Sequence, residues 1–182
     1  MATTLQGKRV AFLAADGVEE VEYTQPREAV EAAGAAVELV SVQPGEIRAF
    51  NHLDKSRTYP VDLTADKADP DAYDALVLPG GVANPDLLRT DPDAVGFVRA
   101  FFTAGKPVGA ICHAPWTMIE AGVVRGRTIT SWPSLRTDLT NAGATWVDTE
   151  CQVDNGLVTS RKPDDLPAFS AKLVEEIAEG GH

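Results

Sequence analysis

Lys106-Pro107-Val108-Gly109-Ala110-Ile111-Cys112-His113-Ala114-Pro115 is the stretch on which the fold turns. Its first six residues are a short apolar segment that reads as a buried strand. From Ala114 to Gly122 the pattern is helical and closes on glycine. Cys112 therefore stands at a strand end and a helix start, beside backbone N–H groups and a positive helix terminus. Such surroundings favour a thiolate. Gly109, Ala110 and Ala114 leave room for the sharp turn of a nucleophile elbow.

The same alternation extends outward in both directions. Arg9 to Ala14 reads as a central strand, Glu20 to Ala33 as a helix ended by Gly34, and Ala36 to Val42 as a second strand. Residues from Gln43 to Leu63 are less regular and suit short strands or an edge hairpin. Ala75 to Leu78 is another buried strand, running into Pro79-Gly80-Gly81. Asp91-Pro92-Asp93 has a helix start's aspartate N-cap and first-position proline, with the helix stopping at Gly105. Thr128 to Ser131 is strand-like and Ser134 to Asn141 a short helix. Trp146 to Val153 and Leu157 to Ser160 flank Asn155-Gly156, a two-residue hairpin signal. Asp164 to Glu179 is a final helix. Alternation of this kind predicts an α/β fold: a mostly parallel sheet, helices on both faces and an added β-hairpin. No linker, repeat or low-complexity tract divides the 182 residues, so one domain, 1–182, is expected.

Composition narrows the function classes. A 44% hydrophobic fraction suits a globular core, and a net charge of -11 argues against nucleic acid or an anionic membrane as partner. No apolar run approaches a membrane span. The start of the chain lacks the basic-then-apolar pattern of a secretory signal, and the two cysteines, Cys112 and Cys151, are expected reduced, in the cytoplasm. The three histidines, His52, His113 and His182, have no zinc-type spacing with either cysteine, so no metal is expected. Gly80-Gly81 has neither Walker nor dinucleotide spacing, and no cofactor is expected.

In open parallel sheets, ligands gather at the carboxyl ends of the strands. Three segments end there: Asp16-Gly17-Val18-Glu19-Glu20, Pro79-Gly80-Gly81 and Cys112-His113. A carboxylate, a glycine turn and a thiol would share one face. Cys112 is the candidate nucleophile, against the alternative of a small buried hydrophobe. An acid held protonated beside it would donate to sulfur. Glu19, Glu20 and Glu22 all qualify by position, and all equally suit a helix start. Gly80 and Gly81 suit an oxyanion turn. His113 is a candidate base, although neighbouring side chains at an elbow are expected to diverge. Cys151 reads as packing.

At these residues the chain resembles the PfpI family, the intracellular protease I and protein deglycase branch of the DJ/PfpI superfamily. The resemblance spans nearly the whole chain. It rests on Ala15-Asp16-Gly17-Val18-Glu19-Glu20-Val21-Glu22, Asp74-Ala75-Leu76-Val77-Leu78-Pro79-Gly80-Gly81, the Cys112-His113-Ala114-Pro115 block, Ala121-Gly122-Val123 and Asn141-Ala142-Gly143-Ala144. It implies a flavodoxin-like three-layer sandwich, Cys112 as nucleophile, Glu19 as the acid on sulfur, and an oxyanion site at Gly80-Gly81 and the His113 N–H. It also implies that an acidic residue from a neighbouring subunit completes the histidine. Asp86 is the matching position, so a homo-oligomer, at least a dimer, is expected. Trp132 stands where relatives of the archaeal protease type have tyrosine; its indole can pack on a substrate but supplies no phenolic proton.

Two classes of function follow. One is a cysteine-dependent hydrolase acting on small reactive aldehydes or glycated adducts, as a deglycase or glyoxalase, or on peptides, as an intracellular cysteine protease. The other is a stress protein without turnover, a redox sensor or chaperone-like molecule in which Cys112 is oxidised.

Overall fold

A computed structural model describes residues 3–181; Met1, Ala2 and His182 lie outside the described residues. The chain runs β1 (Arg9–Leu13), β2 (Val18–Glu19), α1 (Glu20–Ala32), β3 (Ala36–Ser41), β4 (Glu46–Asn51), β5 (Asp54–Pro60), β6 (Leu63–Thr64) and β7 (Ala75–Leu78). It continues through α2 (Ala83–Leu88), α3 (Pro92–Thr103), β8 (Val108–Ile111), α4 (Pro115–Glu120), β9 (Thr128–Ile129), α5 (Arg136–Asn141), β10 (Thr145–Trp146), β11 (Gln152–Asp154), β12 (Leu157–Ser160) and α6 (Leu166–Glu179).

Seven strands form the main sheet in the order β11-β12-β8-β7-β1-β3-β6. All neighbours are parallel except β11, which returns antiparallel along β12 through Asn155-Gly156. Two apolar cores lie on its faces. In β1, Ala11 and Leu13 point into the core shared with Phe97 and Phe101 of α3 and Met118 of α4. Val10 and Phe12 point into the opposite core, with Tyr23 and Val30 of α1 and Phe169 and Leu173 of α6. This period-two split makes the buried run of each central strand apolar on both faces, the mark of a sheet covered on both sides. Gly109 in β8 is required by that packing: a Cβ there would sit 2.8 Å from Leu173 Cδ1 and 3.1 Å from Phe169 Cζ.

Most elements fall where the alternation predicts them. Asp91 caps α3, accepting the Ala94 N–H at 2.9 Å, with Pro92 at the first helical position. Three features differ. Trp146 to Val153 is not one strand: Trp146 belongs to β10, which pairs in parallel with β9 in a separate two-stranded sheet, and only residues 152–154 join the hairpin. The predicted helix from Ser134 divides into a 3-10 turn at Pro133–Leu135 and α5. Helix α2, one and a half turns long, was not foreseen, because Asn84-Pro85 reads locally as a turn.

A third sheet, β2-β4-β5, stands beside the carboxyl ends of the main one. Its β2 strand pairs in parallel with β4, and β4 with β5 form a hairpin whose turn is His52-Leu53. Among the described residues no helix is long and apolar enough to cross a membrane.

Candidate active site

The three segments that end at the carboxyl edge do converge. Cys112 follows β8 with φ 65, a left-handed conformation costing an L-residue roughly 1–2 kcal/mol. Neighbouring backbone holds it there: its N–H donates to Ser160 O at 3.1 Å and its carbonyl accepts the Trp132 N–H at 2.9 Å. The side chain is buried, with 7% of its surface exposed.

This turn brings the Cys112 and His113 side chains together instead of splaying them. Cys112 Sγ lies 3.0 Å from His113 Nδ1, correcting the expected divergence. The other ring nitrogen, Nε2, lies 3.5 Å from Ser134 Oγ. The ring stacks on Trp132 at 5.8 Å and meets Trp116 edge-on at 5.1 Å. Burial between these aromatics pushes its pKa down to about 4, so the imidazole is neutral at pH 7.

The acid beside the sulfur is Glu22, and this corrects the assignment of that contact to Glu19. Val18–Glu19 is extended and paired to β4, and α1 begins one residue later. Glu19, the N-cap, turns to the hairpin, where its oxygens accept the His52 N–H at 3.2 and 3.1 Å. Glu22, in the first turn of α1, points inward to the thiol. Its Oε1 accepts the Gly80 N–H at 3.1 Å and lies beside Cys112 across Gly80, and its Oε2 is buried with no hydrogen-bond partner among the described residues. Glu22 has no exposed surface, and burial, followed by the charge on Glu19, pushes its pKa up to about 8. It therefore carries a proton at pH 7.

The thiol is also pushed up. Burial is the largest cause and a charge on Glu22 would add to it, whereas the backbone N–H groups of Gly81 and His113 act in the opposite direction. With Glu22 protonated its carboxylate charge is absent, and burial, with a smaller contribution from the charge on Glu19, opposes the thiolate. The resting site thus differs from the expected ready thiolate. The six-residue α4 and two N–H groups do not outweigh removal of the sulfur from water.

Gly80 and Gly81 are demanded by close approach. A Cβ on Gly80 would lie 2.5 Å from Glu22 Oε1 and 2.6 Å from Cys112 Cβ, and Gly81, with φ 83, abuts the Gly17 carbonyl. Asn84, buried in α2, clamps this turn: its Nδ2 donates to the Pro79 and Gly80 carbonyls at 3.0 Å, and its Oδ1 accepts the Ala15 N–H at 2.7 Å. Asn84 was not singled out from the sequence, and Glu22 entered only as one of three acids at the helix start. For Glu22 a signal existed: it shares a helical face with Pro26 and Val30, so a carboxylate occupies an apolar stripe.

Above the thiol is a pocket of about 380 Å³. Cys112, His113, Glu19 and Glu22 line it together with Phe50, His52 and Leu53 of the hairpin, Val82 and Ala83 before and in α2, Trp132 and Pro163. Asp86 does not reach it. It is exposed on α2 and borders a different groove with Arg89, Arg99 and Glu120. Cys151 is half-buried against the α1–α6 core, away from the pocket lining. Among the described residues no group of three histidine, cysteine or carboxylate side chains could hold a metal ion.

Comparison with known proteins places the chain in a family. Residues 8–176 match the model of the DJ-1/PfpI family. A Thermococcus kodakarensis protein named deglycase TK1284 is 42% identical over 167 residues, covering 92% of this chain and 98% of that one. YraA of Bacillus subtilis, named as a candidate cysteine protease, is 41% identical over 167 residues, covering 92% and 96%. The crystal structure of DJ-1beta from Drosophila melanogaster superposes with a TM-score of 0.85 at 26% identity, covering 94% of this chain and 90% of that one.

Proposed function

This chain belongs to the DJ-1/PfpI family, and we propose that it is a cysteine-dependent hydrolase with Cys112 as nucleophile, acting as a deglycase or glyoxalase on small reactive aldehydes and their adducts. The observation that carries the reading is the contact set around one strained residue. Cys112 Sγ has a neutral imidazole nitrogen at 3.0 Å and a protonated carboxyl, Glu22, beside it in one pocket.

The chemistry follows from those contacts. As Sγ attacks an aldehyde carbon, the thiol proton passes to His113 Nδ1, the S–C bond forms and the carbonyl π bond opens onto oxygen. The N–H groups of Gly81 and His113 face the sulfur and are the donors available to that oxygen. Return of the proton gives a hemithioacetal. For a 2-oxoaldehyde, transfer of the carbon-bound hydrogen to the adjacent carbonyl carbon, with the hemithioacetal hydroxyl proton passing to that carbonyl's oxygen, gives a thioester of a 2-hydroxy acid. Water cleaves the thioester, releasing the acid and restoring the thiol. Neutral Glu22 donates to sulfur or to the substrate without adding charge to the pocket. A 380 Å³ pocket suits a small substrate, and the relative named for proteolysis makes peptides the comparison substrate.

We propose in addition that a second copy completes the site. Asp86 is exposed on α2 and absent from its own chain's pocket, so it reaches a histidine only in another molecule. Loss of activity in Asp86→Ala, with restoration on mixing with a Cys112→Ala partner, would support this. Full activity of Asp86→Ala would contradict it.

The deciding experiment follows methylglyoxal at a hundredfold excess over protein. Many turnovers per chain, lost in Cys112→Ala with the fold retained, support the hydrolase reading. Loss of one equivalent only, with selective peroxide oxidation of Cys112, would replace it with the redox-sensor reading.

A further inference from the structure

We infer that the tip of the β4–β5 hairpin is an adjustable wall of the Cys112 pocket and that Glu19 is the positioning residue that holds it. The inference rests on the hydrolase reading only in supposing that what reaches Cys112 is a substrate.

The root of the hairpin is fastened along its length. β2 pairs with β4 at Val18↔Ala49 and Glu19↔Phe50. Asp16 Oδ1 accepts the Arg48 N–H at 2.7 Å, and the Gly17 N–H donates to Arg48 O at 2.9 Å. Glu20 accepts Ser56 Oγ–H at 2.9 Å and Tyr59 O–H at 3.1 Å, pinning β5 to α1.

The tip is built differently. Its two-residue turn is His52-Leu53, with His52 at φ 58 and Leu53 94% exposed. Such turns select glycine, asparagine or aspartate, which tolerate positive φ; histidine followed by an exposed leucine does not stabilise one. The strain is instead opposed from outside. Both carboxylate oxygens of Glu19 accept the His52 N–H, and His52 Nδ1 lies 3.7 Å from Oε1. Glu19 is itself buried and needs such donors. Phe50, His52 and Leu53 line the pocket together with Val82 and Trp132. Leu53, Val82 and Trp132 are three of the four large apolar side chains exposed among the described residues, and all three stand at this pocket. Beyond its own Asn51↔Asp54 pairing, the strained turn is tied to α1 by a single carboxylate beside a reactive thiol, a place where the wall can yield, and strain of this kind concentrates at functional sites. Glu19 and the tip therefore set the size of molecule that reaches Cys112.

The test uses thiol alkylation and needs no turnover, so its failure is distinguishable from failure of the hydrolase reading. Rates of Cys112 modification by iodoacetamide and by fluorescein maleimide are read by peptide mass spectrometry, and their ratio isolates access from thiol reactivity. Glu19→Ala is expected to raise the bulky-to-small ratio at least fivefold and to speed hydrogen exchange across residues 50–55. Glu19→Gln keeps an oxygen acceptor for the His52 N–H and should stay within twofold of wild type. Leu53→Ala trims a solvent-exposed side chain with no risk to folding and should raise the ratio as well. An unchanged ratio in both Glu19→Ala and Leu53→Ala, or a Glu19→Gln ratio matching that of Glu19→Ala, would overturn the inference.

Discussion

The β11–β12 hairpin turns on Asn155-Gly156, with φ 46 and 80, and the β4–β5 hairpin turns on His52-Leu53, with φ 58 at a histidine. Asparagine and glycine accept positive φ through their own chemistry, so the first turn holds itself. The second is held from outside by the Glu19 carboxylate. The one other non-glycine residue at positive φ among the described residues is Cys112, and Glu22, three residues after Glu19, stands against it. Strain that the local sequence relieves thus lies in a structural hairpin. Strain that other elements must oppose, the Glu19 carboxylate at His52 and the Ser160 and Trp132 backbone at Cys112, lies at the pocket.

That contrast can be broken at several points. The largest effect is expected at the elbow: Cys112→Ala should reduce methylglyoxal turnover at least a thousandfold while leaving the thermal transition close to wild type. Turnover surviving that substitution would remove function from the strained elbow.

Next comes Glu22→Gln, read as stability against pH. The Glu22 pKa rises from 4.5 to about 8 on folding. Below pH 4.5 both states hold the proton. Between 4.5 and 8 the unfolded chain releases it and the folded chain does not, so wild-type stability falls as pH rises and levels off above 8. The variant lacks this loss and should gain on wild type by an amount on the order of a few kcal/mol by pH 8–9, measured by denaturant unfolding. Parallel stability profiles would mean Glu22 is ionised in the fold.

Smaller effects separate the two hairpins. Gly156→Ala should destabilise the protein by about 1 kcal/mol with activity unchanged, because alanine resists the left-handed region. His52→Gly should stabilise it by about 0.5 kcal/mol, since glycine relieves the φ strain and loses some of that gain to unfolded-chain entropy. A loss at His52→Gly would show that the His52 turn is not strained.

How much of this could be read beforehand follows the range of the forces involved. β1, β7 and β8 are runs of apolar residues between turn signals, and Asp91-Pro92 and Asn155-Gly156 carry their local chemistry in two residues, so these were legible. So was the convergence of Asp16 to Glu20, Gly80-Gly81 and Cys112, which follows from parallel topology alone. The choice of acid was not. The start of α1 at Glu20 was legible, but which acid faces the thiol depends on the Glu19↔Phe50 pairing to a strand 31 residues downstream, which sets Glu19 beside the hairpin. The Cys112–His113 contact was hidden for a related reason: it follows from φ 65 at Cys112, which bonds to Ser160 and Trp132 maintain from other elements. Trp146 reads as strand in either setting, but its partner, β9, is fixed by packing.

The most direct test of the account is the pH dependence of Cys112 alkylation by iodoacetamide in wild type and Glu22→Gln, followed from pH 5 to 10 with Cys112 read by peptide mass spectrometry. If Glu22 is the neutral acid on the sulfur and ionises near pH 8, its new charge opposes the thiolate there. The wild-type rate should then climb less steeply above pH 8, and the ratio of variant to wild type should widen by tenfold or more by pH 10. Profiles that stay parallel through pH 8, or a widening that appears with Glu19→Gln in place of Glu22→Gln, would contradict it.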